Sequence, residues 1–113
     1  MTFTVEHTDP ATISLSGNAL GGPEAMNFSE AVSECLQNGT TGLVVDLSGV
    51  EVMNSSGLGM LVAASRTVTA AGGTLAIAGA NEKLQKLFAM TRLDSVFRQF
   101  GTRQEAVAAL IKR

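Results

Sequence analysis

Five residues, Leu43-Val44-Val45-Asp46-Leu47, are apolar apart from one acid, and Asn54-Ser55-Ser56-Gly57-Leu58-Gly59 follows shortly after. A continuous apolar run of this length marks a strand covered on both faces, since a solvated face would place polar residues at every second position. Asn and Ser side chains accept backbone N–H bonds where helices start, and glycine lets other groups approach that backbone closely. The stretch from Leu43 to Leu61 therefore predicts a buried central strand, a short tight connection and a capped helix that presents a serine. A layered α/β fold accommodates such a unit.

The flanking sequence supplies the remaining elements. Phe3-Thr4-Val5-Glu6 and Ile13-Ser14-Leu15-Ser16 alternate apolar and polar residues across the turn-forming His7-Thr8-Asp9-Pro10, which predicts an opening hairpin. Gly17-Asn18-Ala19-Leu20-Gly21-Gly22 reads as a glycine-rich connection before Pro23 and Glu24, residues suited to a first helical turn. Ala25, Phe28, Val32, Cys35 and Leu36 then recur at helical spacing until Asn38-Gly39 supplies a left-handed stop. Leu58, Leu61, Val62 and Val68 form the core stripe of the next helix, which ends at Gly72-Gly73, with Met60, Ala63 and Thr67 near its opposite face.

Thr74-Leu75-Ala76-Ile77-Ala78 predicts a further strand, and Asn81 can cap a short helix carrying Leu84, Leu87 and Phe88. Val96-Phe97-Arg98-Gln99-Phe100 reads as the last strand. Thr102-Arg103-Gln104-Glu105 has capping-box spacing before a terminal helix that buries Ala106, Val107, Leu110 and Ile111. The order β-β-α-β-α-β-α-β-α implies right-handed parallel crossovers behind an antiparallel hairpin. No repeat or linker divides the 113 residues, so a single domain over 1–113 is expected.

Aromatic residues amount to 4%, all of them Phe, so the core must be built from Leu, Val, Ile, Met and Ala. All eight Lys and Arg residues lie at or beyond Arg66, whereas seven of the ten acids precede it. Folding could mix the two halves, or it could leave an acidic docking face near the central motif for a basic partner. The single Cys35 cannot form an intrachain disulfide and falls on a buried helix stripe. Without a secretory signal pattern or an apolar run approaching ~18 residues, a cytoplasmic protein with no membrane span is expected.

An exposed serine at a strand-to-helix turn raises the question of a hydrolase nucleophile. The nucleophile elbow requires glycine two residues before and after the serine, yet Met53 precedes Ser55 and Asn54 precedes Ser56 at that spacing. His7, the only histidine, sits in the opening turn and has no partners for a triad or a metal site. Gly21-Gly22 lacks the Gly-Lys-Ser/Thr ending of a phosphate loop. Neither an enzyme nor a cofactor or metal is expected, and the serine hydroxyl is left as an acceptor of phosphate or as part of a plain helix cap.

Asp46-Leu47-Ser48-Gly49-Val50 followed by Met53-Asn54-Ser55-Ser56-Gly57-Leu58-Gly59 resembles the signature of STAS-domain anti-sigma factor antagonists, the bacterial anti-anti-sigma factors. The element order, the Gly72-Gly73 turn and the Leu84 to Phe88 helix extend the resemblance over nearly the whole chain. It implies a STAS-like mixed, largely parallel sheet with an antiparallel first strand and about four packed helices. It further implies Ser55 as a phosphoacceptor, Ser56 as an occasional second site, and Asp46, Asn54, Ser56 and Gly57 as the surrounding loop and cap. The implied partners are an anti-sigma factor that is also a serine kinase, bound through Leu58, Gly59, Met60, Ala63, Gly21 and Gly22, and a PP2C-type phosphatase. A monomer or weak dimer with no direct nucleic-acid contact is expected.

Two positions depart from that pattern: Asn54 stands where the family usually has Asp, and Gly17 to Gly22 replaces a typically acidic segment. Two other classes stay open. One is a constitutive STAS interaction subunit that uses the same surface, as of a lipid-transport complex, without phosphorylation; the other is a small-molecule or nucleotide sensor built on the Gly21-Gly22 loop.

Overall fold

The computed structural model describes residues 2–19, 23–93 and 95–111, with no account of the side chains at 18, 19 and 23–25. Its elements are β1 (Thr2–Glu6), β2 (Ala11–Ala19), α1 (Pro23–Gln37), β3 (Gly42–Met53), α2 (Ser55–Ala70), β4 (Thr74–Ala78), α3 (Glu82–Met90), β5 (Arg98–Phe100) and α4 (Arg103–Ile111). They form one five-stranded sheet in the order β1-β2-β3-β4-β5. Only the β1–β2 pair is antiparallel, as the opening hairpin predicts; the other three pairs are parallel.

β3 is the middle strand, and helices cover both of its faces. Leu43, Val45 and Leu47 point into the larger core, with Ile13 and Ile77 beside them and Phe28, Val32, Leu61, Leu84 and Phe88 of α1, α2 and α3 above. Val44 points the other way, joining Ala76, Ala78 and Ala106 beneath α4. The alanines keep that second layer thin, while edge-to-face pairs of Phe3 with Phe28 and Phe88 with Phe97 fill the first. Cys35 is buried in the larger core, where burial first and Glu34 second push its thiol above the ordinary value, so it stays a neutral packing group.

β2 and β3 run further than the sequence pattern suggests. The stretch read as a glycine-rich connection continues β2 through Ala19, and the tight connection after Leu47 is strand as far as Met53. Two register shifts explain why alternation fails to reveal this. Ser14 pairs with Asp46 but Ser16 with Gly49, and Gly17 pairs with Val50 but Ala19 with Met53, so β3 carries two extra residues. Each bulge moves the inward phase by one, and the core-facing positions run Leu43, Val45, Leu47, Val50 and Met53. Such a sequence looks irregular because its period changes from two to three at each bulge.

Elsewhere the boundaries differ at the chain's later end. Val96 and Phe97 belong to the approach to β5 and not to the strand, which keeps only Arg98–Phe100. Thr102 caps α4 by accepting the Glu105 N–H, but the Glu105 carboxylate takes the Thr102 hydroxyl. Ile111, expected in the core, is 60% exposed because α4 reaches the sheet mainly through Ala106, Val107 and Leu110.

The first bulge depends on Gly49. A Cβ there would lie 2.8 Å from the carbonyl oxygen of Leu15, a backbone atom in the paired strand that cannot rotate away. Gly49→Ala is expected to destabilise the fold by roughly 1–3 kcal/mol through forced strand separation. A lowered urea midpoint with an unchanged slope is the corresponding measurement.

Candidate functional site

The last residue of β3, Met53, is buried, and the next begins the cap of α2. Asn54 is extended, with φ −99° and ψ −176°, and its Oδ1 accepts the Gly57 N–H at 2.9 Å. Its carbonyl accepts the Leu58 N–H at 2.9 Å, the first bond of the helix. Ser55 and Ser56 form the exposed first turn, and neither hydroxyl makes a hydrogen bond within the described chain. Asn54 therefore does the capping, and the serines are free of it. Helix N–H groups not used by Asn54 and the positive end of the helix dipole face the same region.

The far side of the motif is held by α3. Asn81 caps that helix by accepting the Leu84 N–H at 2.9 Å, and its Nδ2 donates to the carbonyl of Glu51 at 3.1 Å. One amide thus ties the start of α3 to the end of β3 just before the serines. The sequence shows Asn81 as a cap; its grip on β3 depends on tertiary placement alone.

The expected site residues do not all meet. Gly57 is buried and Gly59 and Ala63 are exposed, so Ser55, Ser56, Gly59 and Ala63 share an open face of α2. Leu58 and Met60, expected to bind a partner, face inward at 7% exposure each. Leu58 enters the main core, and Met60 fills the seam where α2 meets Phe28 and Val32 of α1. Gly21 and Gly22 lie outside the described residues.

Asp46, expected beside the phosphoacceptor, is likewise not part of that loop. Its β2 partner Ser14 lies five residues from Ala19, the partner of Met53, which at ~3.3 Å per residue separates Asp46 from the cap by about 16 Å. The Asp46 carboxylate instead accepts the Ser48 N–H at 3.0 Å and borders a cleft with Gly79 and the Thr102–Arg103 start of α4. Both bulges lie between Asp46 and Ser55, so sequence proximity is misleading here.

The charge halves mix across the surface. Arg103 pairs with Glu6, and Lys83 and Lys86 stand beside Val52 and Met53 at the end of β3. Among the described residues no cluster of His, Cys, Asp and Glu could hold a metal, and no helix is long and apolar enough to cross a membrane. His7 is exposed in the β1–β2 turn.

The cap makes a specific separation between neighbouring side chains. Asn54→Ala is expected to lower stability by about 1 kcal/mol through loss of the bond to Gly57, whereas Ser55→Ala stays within about 0.5 kcal/mol of the parent. Denaturant titration of the two variants distinguishes them.

Comparison with known proteins agrees with this arrangement. The family described as Mlab, STAS domain matches residues 3–99. The chain is 31% identical to the anti-sigma-F factor antagonist RsfB of Mycobacterium tuberculosis over 97% of its own length and 89% of that protein. The crystal structure of an anti-sigma factor antagonist from Mycobacterium paratuberculosis superposes with a TM-score of 0.82 at 26% identity, covering 98% and 94% of the two chains. Bacillus SpoIIAA in its phosphorylated form shares the fold at a TM-score of 0.74 and 20% identity, covering 96% of this chain and 98% of that one. With its capped α2, its five-stranded mixed sheet and these matches over nearly its full length, the chain belongs to the STAS-domain family of anti-sigma factor antagonists.

Proposed function

We propose that the protein is an anti-sigma factor antagonist whose binding is switched by phosphorylation of Ser55. In its unmodified form it binds an anti-sigma factor that is also a serine kinase and thereby frees the sigma factor. Phosphorylation ends that binding, and a PP2C-type phosphatase restores it. The observation carrying this reading is the exposed Ser55 hydroxyl, left without a partner among the described residues in the first turn of α2 while Asn54 performs the cap. Support also comes from RsfB, named for antagonism of an anti-sigma-F factor, and from the phosphorylated form of SpoIIAA on the same fold.

The helix start tolerates a phosphate. The group adds roughly −1.5 to −2 charge where free N–H groups and the helix dipole favour an anion. The fold survives, and the penalty falls on a protein interface that must desolvate the new charge. At ~3–5 kcal/mol for an unpaired buried charge, affinity drops by roughly two to three and a half orders of magnitude. Asn54 in place of the usual Asp retains the cap and removes a like charge next to the phosphate, which favours the modified form.

Gly59 adds a second support. A Cβ at that position would meet nothing within 4 Å, so the fold itself has no need of glycine inside α2, where it costs about 1 kcal/mol relative to alanine. Its smallness serves a surface that approaches the helix from outside, next to Ser55 and Ala63.

Incubation with the cognate kinase and ATP is expected to add one phosphate to wild type and to Ser56→Ala but none to Ser55→Ala, as read by intact-mass and peptide mass spectrometry. Phosphate remaining on Ser55→Ala and absent from Ser56→Ala would reassign the acceptor, and phosphate on neither serine would favour a constitutive interaction subunit. Gly59→Ala is expected to stabilise the fold by about 0.5–1 kcal/mol while weakening the anti-sigma complex. A variant that gains stability and keeps full binding would remove Gly59 from the interface.

A further inference from the structure

β3 and α3 enclose a groove of about 320 Å³ directly before the Ser55 turn. Buried Met53 and Leu84 form its floor, and half-buried Leu87 continues it. Its rims carry Val52 and Met90, which are 41% and 82% exposed. Lys83 and Lys86 complete the lining, with no carboxylate among the lining residues. Neither lysine has an ion-pair partner among the described residues.

We propose that this groove receives an acidic amphipathic helix of the anti-sigma factor, with apolar side chains seated between Val52 and Met90 and carboxylates facing Lys83 and Lys86. The identity of the partner rests on the functional reading above; the chemistry of the docking segment rests on the groove. Lys83, Leu84, Leu87 and Met90 lie along one face of α3 over two turns, a span of about 10 Å. That length matches apolar anchors three, four and seven residues apart on a partner helix. The exposed thioether of Met90 adapts to the shape of such anchors. A bilayer suits the site less well, because membranes take protruding apolar side chains and this one is concave. Two lysines also add only about 1 kcal/mol each at an anionic surface.

The placement explains the direction of the switch. Ser55 lies two residues beyond Met53, within about 7 Å along the chain. A phosphate there adds negative charge beside a negatively charged helix, inside the ~8–10 Å screening distance of moderate salt. Like-charge repulsion then joins desolvation in ending the complex.

The test titrates purified anti-sigma factors of the source organism with wild type, Lys83→Glu/Lys86→Glu, Lys83→Arg/Lys86→Arg, Met90→Ser and Ser55→Asp by calorimetry. All substituted side chains are exposed, and circular dichroism checks each variant's fold. The charge reversal is expected to lose about tenfold or more in affinity, Met90→Ser about threefold or more, and the arginine pair less than about twofold. The deficit of Ser55→Asp should shrink at ~0.5 M salt. A photo-crosslinker at position 90 should attach to a carboxylate-bearing helix of the anti-sigma factor.

Unchanged affinity of both the charge-reversed and Met90→Ser variants, or crosslinks to a basic segment, overturns the groove proposal alone. So does wild type that sediments with phosphatidylglycerol vesicles and loses that binding on charge reversal while its anti-sigma affinity stays the same. If Ser55→Asp binds as wild type while the groove variants do not, the groove stands and the phosphorylation switch falls. If no anti-sigma factor binds wild type, the functional reading and the helix assignment fall together.

Discussion

β3 is the constraint on which the rest depends. It is the middle strand, it packs against helices on both faces, and its last residue hands the chain to the Asn54 cap. Burial on both faces explains why Leu43, Val44, Val45 and Leu47 must all be apolar, and why the small Ala76 and Ala78 lie opposite α4. Hydrophobic burial of this strand holds the position of the serine turn: Met53 is anchored in the core one residue before the cap, and Leu58 is anchored three residues after Ser55. The exposed hydroxyls lie between two buried anchors.

The two bulges adapt the strand to that task. They shorten β3 relative to its residue count and change which side chains face inward, so that both Val50 and Met53 reach the core. They also send Val52 outward beside α3, which creates the rim of a groove. Rigidity of the serine turn and openness of the neighbouring groove thus have one origin in strand register. Asn81 reinforces both by joining α3 to the carbonyls at the end of β3.

Regulation by a phosphate on this scaffold needs no refolding. The modified atom would lie at a helix start that accommodates an anion, and in the proposed switch the exposed face of Ser55, Gly59 and Ala63 would carry the consequence to a partner. The inward turn of Leu58 and Met60 narrows that face to small residues. In the proposed complex, larger apolar contact would come from Val52, Leu87 and Met90, which line the adjoining groove.

Much of the architecture is legible in the chain itself. Element order, the opening hairpin, the caps at Asn54 and Asn81 and the left-handed turn at Gly39 follow from local chemistry, which acts over a few residues wherever the segment is placed. The exposed serine turn is legible for the same reason. Tertiary structure alone decided that Met60 packs against α1, that Asp46 lies far from Ser55, that β5 is short and that Lys83 and Lys86 flank an apolar groove. Helical periodicity gives a face but not its neighbour, and a bulge breaks the alternation from which strand orientation is read. Local hydrogen bonding was written in the sequence, whereas the distances between distant segments were set only by register and packing.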